Sequence, residues 1–223
     1  MTITTINYKF GEKPEYTPSK LYLTLAALLD EALIKFPNFV SSSLITLQSE
    51  DDITEQLSVF LDDVTRSNSN PYGIFRFTNQ SKTPSSRQKT DIGVRLASKS
   101  PSNVICFIEA KRIPTPTGKN RKHTEYVAND GRGGIERFKK EFHGKNLPCS
   151  IIIGYLQSRE RDFWLRYYNY VIHFLSKGDK SWTSLDKMVH INEFIDPKVS
   201  KYFSRHTRIK EKEILLYHYW IYL

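Results

Sequence analysis

The stretch NVICFIEA, residues 103–110, is the most informative part of the sequence. It is almost wholly apolar until Glu109, which predicts a central strand with both faces buried. Side chains alternate between the two faces of a strand, so Glu109 and Lys111 point to one side and the small Ala110 to the other. A carboxylate at the end of such a strand costs free energy unless a cation or a hydrogen-bond donor meets it. The pattern therefore indicates a charged site at the end of this strand.

Asp91 opens a neighbouring candidate strand, TDIGVRL, residues 90–96. A short loop separates the two strands, so Asp91 can reach the same point as Glu109. Two carboxylates and a backbone carbonyl, which Ala110 would supply, form the hard oxygen site that Mg²⁺ or Mn²⁺ prefers. Such an ion lowers the pKa of bound water and binds phosphate oxygens. Lys111 would lie beside it, where it can orient or help deprotonate the attacking water, or stabilise charge on the transition state.

Simpler interpretations exist for each of these residues. Asp91 can serve as a strand-start residue that binds turn amides, and Lys111 with Arg112 can form a solvated strand end. The presence of Asp91, Glu109 and Lys111 together favours the site.

The order of predicted elements defines the fold class. Residues 51–64 have the apolar spacing of a helix, and strands are predicted at 73–78, 90–96 and 103–110. A long polar connection, 113–133, leads to a second helix at 134–142 and a buried strand at 150–156. Short connections favour antiparallel pairing of the first three strands, and a right-handed crossover would bring the last onto the same sheet. We predict an α/β fold with a mixed central β-sheet flanked by helices.

Further elements flank this core on both sides. A helix is predicted over residues 20–36, with Pro37 as its stop, and a helix over 159–175 precedes a terminal strand at 213–223. We expect a single domain over 1–223, with its core at about 50–157, a helical extension at 1–49 and a C-terminal helix and strand at 158–223. The aromatic residues of the 159–175 helix are interpreted as core or interface rather than as a platform for base stacking.

Asp91 in TDIGV and Glu109-Ala110-Lys111 in FIEAKR lie 18 residues apart (109 − 91) and resemble the signature of the PD-(D/E)XK nucleases, the restriction-endonuclease-like superfamily. The helix–strand–strand–strand–helix–strand order over residues 53–156 is similar to that superfamily's core, so the resemblance covers about half of the chain. Thr90 stands where the motif has proline. The resemblance implies Mg²⁺- or Mn²⁺-dependent hydrolysis of phosphodiester bonds, with Asp91, Glu109 and Ala110 at the metal and Lys111 assisting the water.

Four other segments resemble a subset of bacterial nucleases from restriction and anti-phage defence systems. They are EYVAN (125–129), GGIERFK (133–139), IIGYLQ (152–157) and SRHTR with LLYHYWIYL between 204 and 223. This resemblance implies DNA rather than RNA as the substrate and defence against foreign DNA as the setting. Partner proteins of a defence system, or a homodimer for cutting two strands, would follow from it.

The third acid of the site is open between two interpretations. In many members of the superfamily an acid on the first core helix completes the metal site, and Glu55 matches that position. Glu55 also lies three residues after Asp52, as in a capping box with Asp52 as N-cap. Glu50 is a weaker substitute for the same role.

Positive charge points to a polyanionic partner. The formal net charge is +9 and the sequence pI is about 9.4, which fits DNA or RNA. An anionic membrane surface fits the charge as well, but no amphipathic basic helix supports it. The candidate phosphate-binding residues are Lys119, Arg121, Lys122, Arg137, Lys139, His206 and Arg208. The alternative for each of them is that the side chain is exposed to solvent and has no role in binding.

Cysteine usage and the first residues bear on the compartment. Cys106 and Cys149 lie in apolar runs, which favours buried thiols over a disulfide. Residues 1–10 lack the charged and apolar regions of a signal peptide, so a reducing cytoplasm is expected. The competing functional class is a nucleic-acid-binding or regulatory module that keeps the nuclease fold without cutting.

Overall fold

The computed structural model describes residues 18–42, 49–67, 72–82, 89–98, 104–116, 121–191, 196, 198–210 and 212–223. Within these ranges, seven strands form one mixed sheet in the order β1-β2-β3-β4-β7-β6-β5. The strands are β1 (Phe75–Lys82), β2 (Lys89–Leu96), β3 (Val104–Ile113), β4 (Cys149–Leu156), β5 (Val189–His190), β6 (Val199–Thr207) and β7 (Glu213–Tyr222). The helices are α1 (Pro18–Leu33), α2 (Phe36–Ser42), α3 (Glu50–Arg66), α4 (Gly134–Lys139) and α5 (Arg161–Gly178).

Strand direction changes at the centre of the sheet. The strands β1, β2 and β3 pair antiparallel, while β4 lies parallel to both β3 and β7. The last two strands, β6 and β5, return antiparallel. The predicted order of helix, three strands, helix and strand is thus present over α3 to β4, and the mixed sheet flanked by helices is confirmed.

Alternating side chains of β3 divide the interior into two layers. Cys106, Ile108 and Ala110 pack with α1, α2 and α3, whereas Phe107 and Ile113 pack with α4 and α5 on the opposite face. By the same alternation Glu109 and Lys111 belong to the α4 and α5 side. Both cysteines are buried and free, as expected.

Two helix boundaries differ from the expectations. Pro37 does not simply stop α1, which ends at Leu33; it lies in the first turn of α2, where a proline needs no amide hydrogen. The predicted N-cap at Asp52 is wrong. Ser49 is the N-cap of α3, its side chain accepts a hydrogen bond from the amide of Asp52, and the Asp52 carboxylate accepts one from the amide of Ser49.

The C-terminal region contains more sheet than predicted. The terminal strand at 213–223 is present as β7, but β6 and the short β5 were missed. Lys201 lies in β6 and is nearly buried because it pairs with Asp30 of α1 at 2.8 Å. A charged residue in this position masks the apolar alternation by which a strand is recognised in sequence.

Gly154 allows close packing at the middle of the sheet, between β3 and β7. A Cβ atom there would lie 2.4 Å from Cδ1 of Ile113 and 2.6 Å from Cδ1 of Trp220. We expect Gly154→Ala to destabilise the fold by about 1–3 kcal/mol, because a buried indole cannot move aside cheaply. Chemical denaturation measures this. Gly178→Ala is the matched control, since nothing lies within 4 Å of its added methyl group, and an equal loss there would contradict the packing argument.

Candidate active site

Asp91 is held at the point where β2 meets the end of β3. Its Oδ2 accepts a hydrogen bond from the amide of Ala110 at 2.7 Å. Burial raises the pKa of Asp91 to about 7, and the nearby Glu109 adds to that rise, while Lys111 and the Ala110 amide oppose it. Near neutral pH this carboxyl group is therefore poised between its charged and uncharged forms.

Glu109 is fully buried and keeps its charge through neighbouring cations. Its Oε1 lies 3.0 Å from Nζ of Lys111 and 2.5 Å from the guanidinium of Arg137 on α4. Nδ1 of His143 lies 3.1 Å from Oε2, without hydrogen-bond geometry. Burial alone would raise the pKa of Glu109, but Lys111, His143 and Arg137 together hold it well below its usual range.

Lys111 connects the acids of the site. Besides Glu109, its Nζ contacts Oε1 of Glu50 at 3.3 Å and donates to the carbonyl of Ala110 at 2.8 Å. Its side chain is only 4% exposed. Burial would lower the pKa of Lys111, but Glu109, Glu50 and Asp91 outweigh burial and raise it above the usual range. The side chain is therefore a fixed ammonium cation.

The structure brings Glu50, and not Glu55, to Lys111. Glu50 begins α3, and its Oε2 also accepts a hydrogen bond from the amide of Arg112 at 2.8 Å. Glu55 is exposed on the same helix. The reason is the cap at Ser49, because the helix begins earlier than predicted and its first acid faces the end of β3. The pair Ser49 and Asp52 was the sequence signal that could have found this start.

A second cation closes the outer side of this cluster. Arg121 lies 3.2 Å from Oε2 of Glu50 and 3.0 Å from Oε2 of Glu125, and its side chain is 37% exposed. Burial would lower the pKa of Arg121, but Glu125 and Glu50 raise it. Of the other predicted phosphate-binding residues, Lys122 is exposed, Arg137 is partly exposed against Glu109, and Lys119 lies outside the described residues.

Three predicted phosphate-binding residues are instead engaged inside the protein. Lys139 contacts Asp186 at 2.6 Å, and Nδ1 of His206 lies 2.6 Å from the same oxygen. Arg208 donates to the carbonyls of Gly144 and Leu147. All three are buried, so as placed they do not present charge to a ligand.

His206 belongs to a buried chain of hydrogen bonds that resembles a Ser-His-Asp arrangement. Ser204 Oγ lies 2.6 Å from Nε2 of His206 and 2.7 Å from Nε2 of His218, and Nδ1 of His218 contacts the hydroxyl of Tyr126 at 2.9 Å. Ser204 and both histidines are at most 1% exposed. A nucleophile shared by two rings and closed to solvent cannot reach a substrate, so this chain joins β6 and β7 to the layer of α4.

No protein-family model, curated protein or solved structure matches this chain. Among the described residues, no three His, Cys, Asp or Glu side chains are grouped closely enough to hold one metal ion. In the same part of the chain, no helix has both the length and the apolar character to cross a membrane.

The raised pKa of Asp91 predicts a pH-dependent gain in stability for Asp91→Asn. Because the folded-state pKa of about 7 exceeds the usual value of 3.8, ionisation of Asp91 weakens the folded state; this loss grows as the pH rises from 3.8 to about 7, is complete above that, and is relieved as the pH falls back through the same window. In EDTA, we expect Asp91→Asn to stabilise the protein, by about 1–3 kcal/mol more at pH 8 than at pH 5. Denaturant unfolding at both pH values measures it. A gain that does not change with pH would contradict this account.

Proposed function

We propose that this protein is a metal-dependent deoxyribonuclease that hydrolyses phosphodiester bonds. The observation that carries the proposal is the cluster at the ends of β2 and β3, where Glu109 and Glu50 contact Lys111 and Asp91 accepts a hydrogen bond from the neighbouring amide of Ala110. An acid, a second acid and a lysine on adjacent strand ends supply what phosphodiester hydrolysis needs, namely oxygen ligands and a fixed positive charge. The helix–three strands–helix–strand order supports the same proposal through the resemblance to PD-(D/E)XK nucleases.

The donor set fits a hard divalent cation such as Mg²⁺ or Mn²⁺. Oε2 of Glu109 is buried and accepts no hydrogen bond among the described residues; Nδ1 of His143 lies 3.1 Å from it without hydrogen-bond geometry, so a bound cation would satisfy this oxygen more fully. Asp91 has a raised pKa because it is buried near other acids, and a cation would relieve that repulsion too. As placed, Asp91, Glu109 and Glu50 are not grouped closely enough to share one ion, so they would hold it only after their carboxylates move together. When bound, it would lower the pKa of a water molecule and bind phosphate oxygens.

Lys111 would act as an electrostatic group rather than as a base. Its pKa is raised by the surrounding carboxylates, so the amine keeps its proton over the physiological range. A fixed ammonium group next to the reacting phosphate stabilises the negative charge that develops in the transition state. Of the roles open to Lys111, charge stabilisation and orientation of the water fit this environment, and removal of a proton does not.

Foreign DNA is the substrate that the wider features support. The net charge is +9, and Arg121 and Lys122 stand beside the cluster with part of their surface in solvent. The segments that resemble restriction and anti-phage nucleases are the ground for the defence setting. Exposed cations of this kind position a phosphate backbone without reading its sequence.

Cleavage should depend on Glu50 and not on Glu55. We expect Asp91→Asn, Glu109→Gln and Lys111→Ala each to lower Mg²⁺-dependent DNA cleavage by about a hundredfold or more. Glu50→Gln should lower it at least about tenfold, while Glu55→Gln, on the exposed face of the same helix, leaves it unchanged. Digestion of single-stranded and duplex DNA measures the rates, and circular dichroism checks folding. Full activity in Asp91→Asn, Glu109→Gln or Lys111→Ala would overturn the assignment.

A non-cleaving nucleic-acid-binding module is the second candidate. It is favoured by one observation: Lys111 and Arg137 already balance the charge of Glu109, so the site is neutralised without a metal. Calorimetric titration with Mn²⁺ separates the two. A nuclease should give a binding heat that disappears in Asp91→Asn and persists in Glu55→Gln. Absence of any such heat, together with DNA binding, would favour the binding module.

A further inference from the structure

A groove of about 380 Å³ lies between α5 and the segments that follow β3 and β4. One wall is aromatic and consists of Phe163, Trp164 and Tyr167 of α5. The rest of the lining includes the polar residues His123, Ser158 and Arg159. Its volume is in the range of sites that bind small ligands, and the combination of flat apolar walls with a few polar groups is typical of such sites.

Residues that line the groove are only a few positions along the chain from residues of the acid cluster. Pro114, which also lines it, stands three residues after Lys111, and His123 stands two residues after Arg121. Consecutive Cα atoms are 3.8 Å apart, so these steps span at most roughly 11 Å and 8 Å. The side chain of Arg112 also donates to Gln157 at 2.7 Å, directly before Ser158. One nucleic-acid strand can therefore contact the cluster and the groove together.

The aromatic wall has the geometry for stacking a flat ring. The rings of Phe163 and Tyr167 are parallel within 2°, with centroids 6.4 Å apart, and both side chains are partly exposed. Trp164 is buried and stands perpendicular to each of them, so it supports the wall from behind. The guanidinium of Arg159 lies over the Phe163 ring, 4.4 Å from its centroid, and covers one face of it, so a base would stack on the Arg159 plane or take its place. Parallel aromatic rings and an arginine plane are the groups on which proteins stack nucleobases.

Polar groups on the rim match the edge of a base. Nδ1 of His123 lies 3.0 Å from the carbonyl oxygen of Thr115, which can only accept, so Nδ1 carries the proton and Nε2 is the acceptor of the neutral ring. Trp164 donates to the carbonyl of Ser158 at 2.8 Å and so fixes that part of the rim. Exposed Glu160 and Asp162 lie beside Arg159 and Arg161 in the chain, so local charge is mixed and favours base stacking over phosphate binding.

We propose that this groove binds an unpaired nucleobase of the DNA strand whose backbone lies at the Asp91–Glu109–Lys111 cluster. This assigns single-stranded or locally unpaired DNA as the substrate class, and it rests on the proposed nuclease function. A base inside a duplex is stacked and paired on both sides, and it must leave the helix before an aromatic wall can receive it. The aromatic residues of α5 thus divide: Trp164 and Tyr168 are core, whereas Phe163 and Tyr167 form a binding surface.

Fluorescence anisotropy with a labelled single-stranded DNA oligonucleotide and its duplex tests the groove in EDTA, where no cleavage occurs. We expect tighter binding of the single strand. Phe163→Leu and Tyr167→Leu keep apolar volume but remove the flat ring, and each should weaken single-strand binding by about 5- to 150-fold with little effect on the duplex. Tyr170→Leu is the control on the same helix, because its ring is 65% exposed and outside the groove. Thermal unfolding verifies that each variant folds.

Equal affinity for the single strand and the duplex, or unchanged single-strand binding in both groove variants, would overturn the base groove. A digestion with Mg²⁺ keeps the two proposals apart. If the wild type binds single strands through the groove but cuts nothing, the nuclease proposal fails and the groove stands. If it cuts duplex and single strands alike and the groove variants cut normally, the groove fails and the nuclease stands.

Discussion

Glu109 carries a negative charge in the interior because Lys111, two residues along the same strand, places its ammonium group 3.0 Å away. Strand alternation makes this possible, since i and i+2 share a face while the small Ala110 between them packs into the opposite layer. The pair in turn fixes what surrounds it. Arg137 of α4 covers Glu109 from one side, and Glu50 of α3 reaches Lys111 from the other, so helices from both layers meet at the end of β3.

Such a network adds little net stability, because the cost of removing its charges from water offsets their mutual attraction. Removing two ions from water costs several kcal/mol each, and a buried ion pair is often no more stable than apolar residues of the same volume. Oε2 of Glu109, which accepts no hydrogen bond with good geometry among the described residues, and the raised pKa of Asp91 add to that cost. Stability alone therefore does not account for the charged residues at these positions, which agrees with the proposed role of the cluster in chemistry.

The central part of the fold could be predicted from sequence because local signals and tertiary packing agree there. The apolar run of β3, the alternation of β2 and the helical spacing of α3 each indicate one structure. Prediction failed where the position or burial of a residue depends on a partner that is distant in the sequence. Lys201 is placed in β6 by Asp30 on α1, and the burial of Lys139 and His206 depends on Asp186, which lies far from both in the sequence. Glu50 was ranked below Glu55 for a local reason, because the cap at Ser49 was not recognised and the helix begins one residue earlier than predicted.

The distribution of charge also explains why nearby cations need not have the same role. From the sequence, Lys139 and Arg208 were as good candidates for phosphate binding as Arg121. In the structure, however, a carboxylate binds Lys139 and backbone carbonyl oxygens accept hydrogen bonds from Arg208. Arg121 also binds acids, yet more than a third of its side chain reaches solvent at the mouth of the cluster, beside the aromatic groove. A phosphate arriving there can compete with Glu50 and Glu125 for the guanidinium, because an arginine fork binds phosphate and carboxylate with similar geometry. That exchange would remove the contact of Glu50 with Arg121 and leave the acid bound to Lys111 and the Arg112 amide, with more freedom to meet a cation near Asp91 and Glu109.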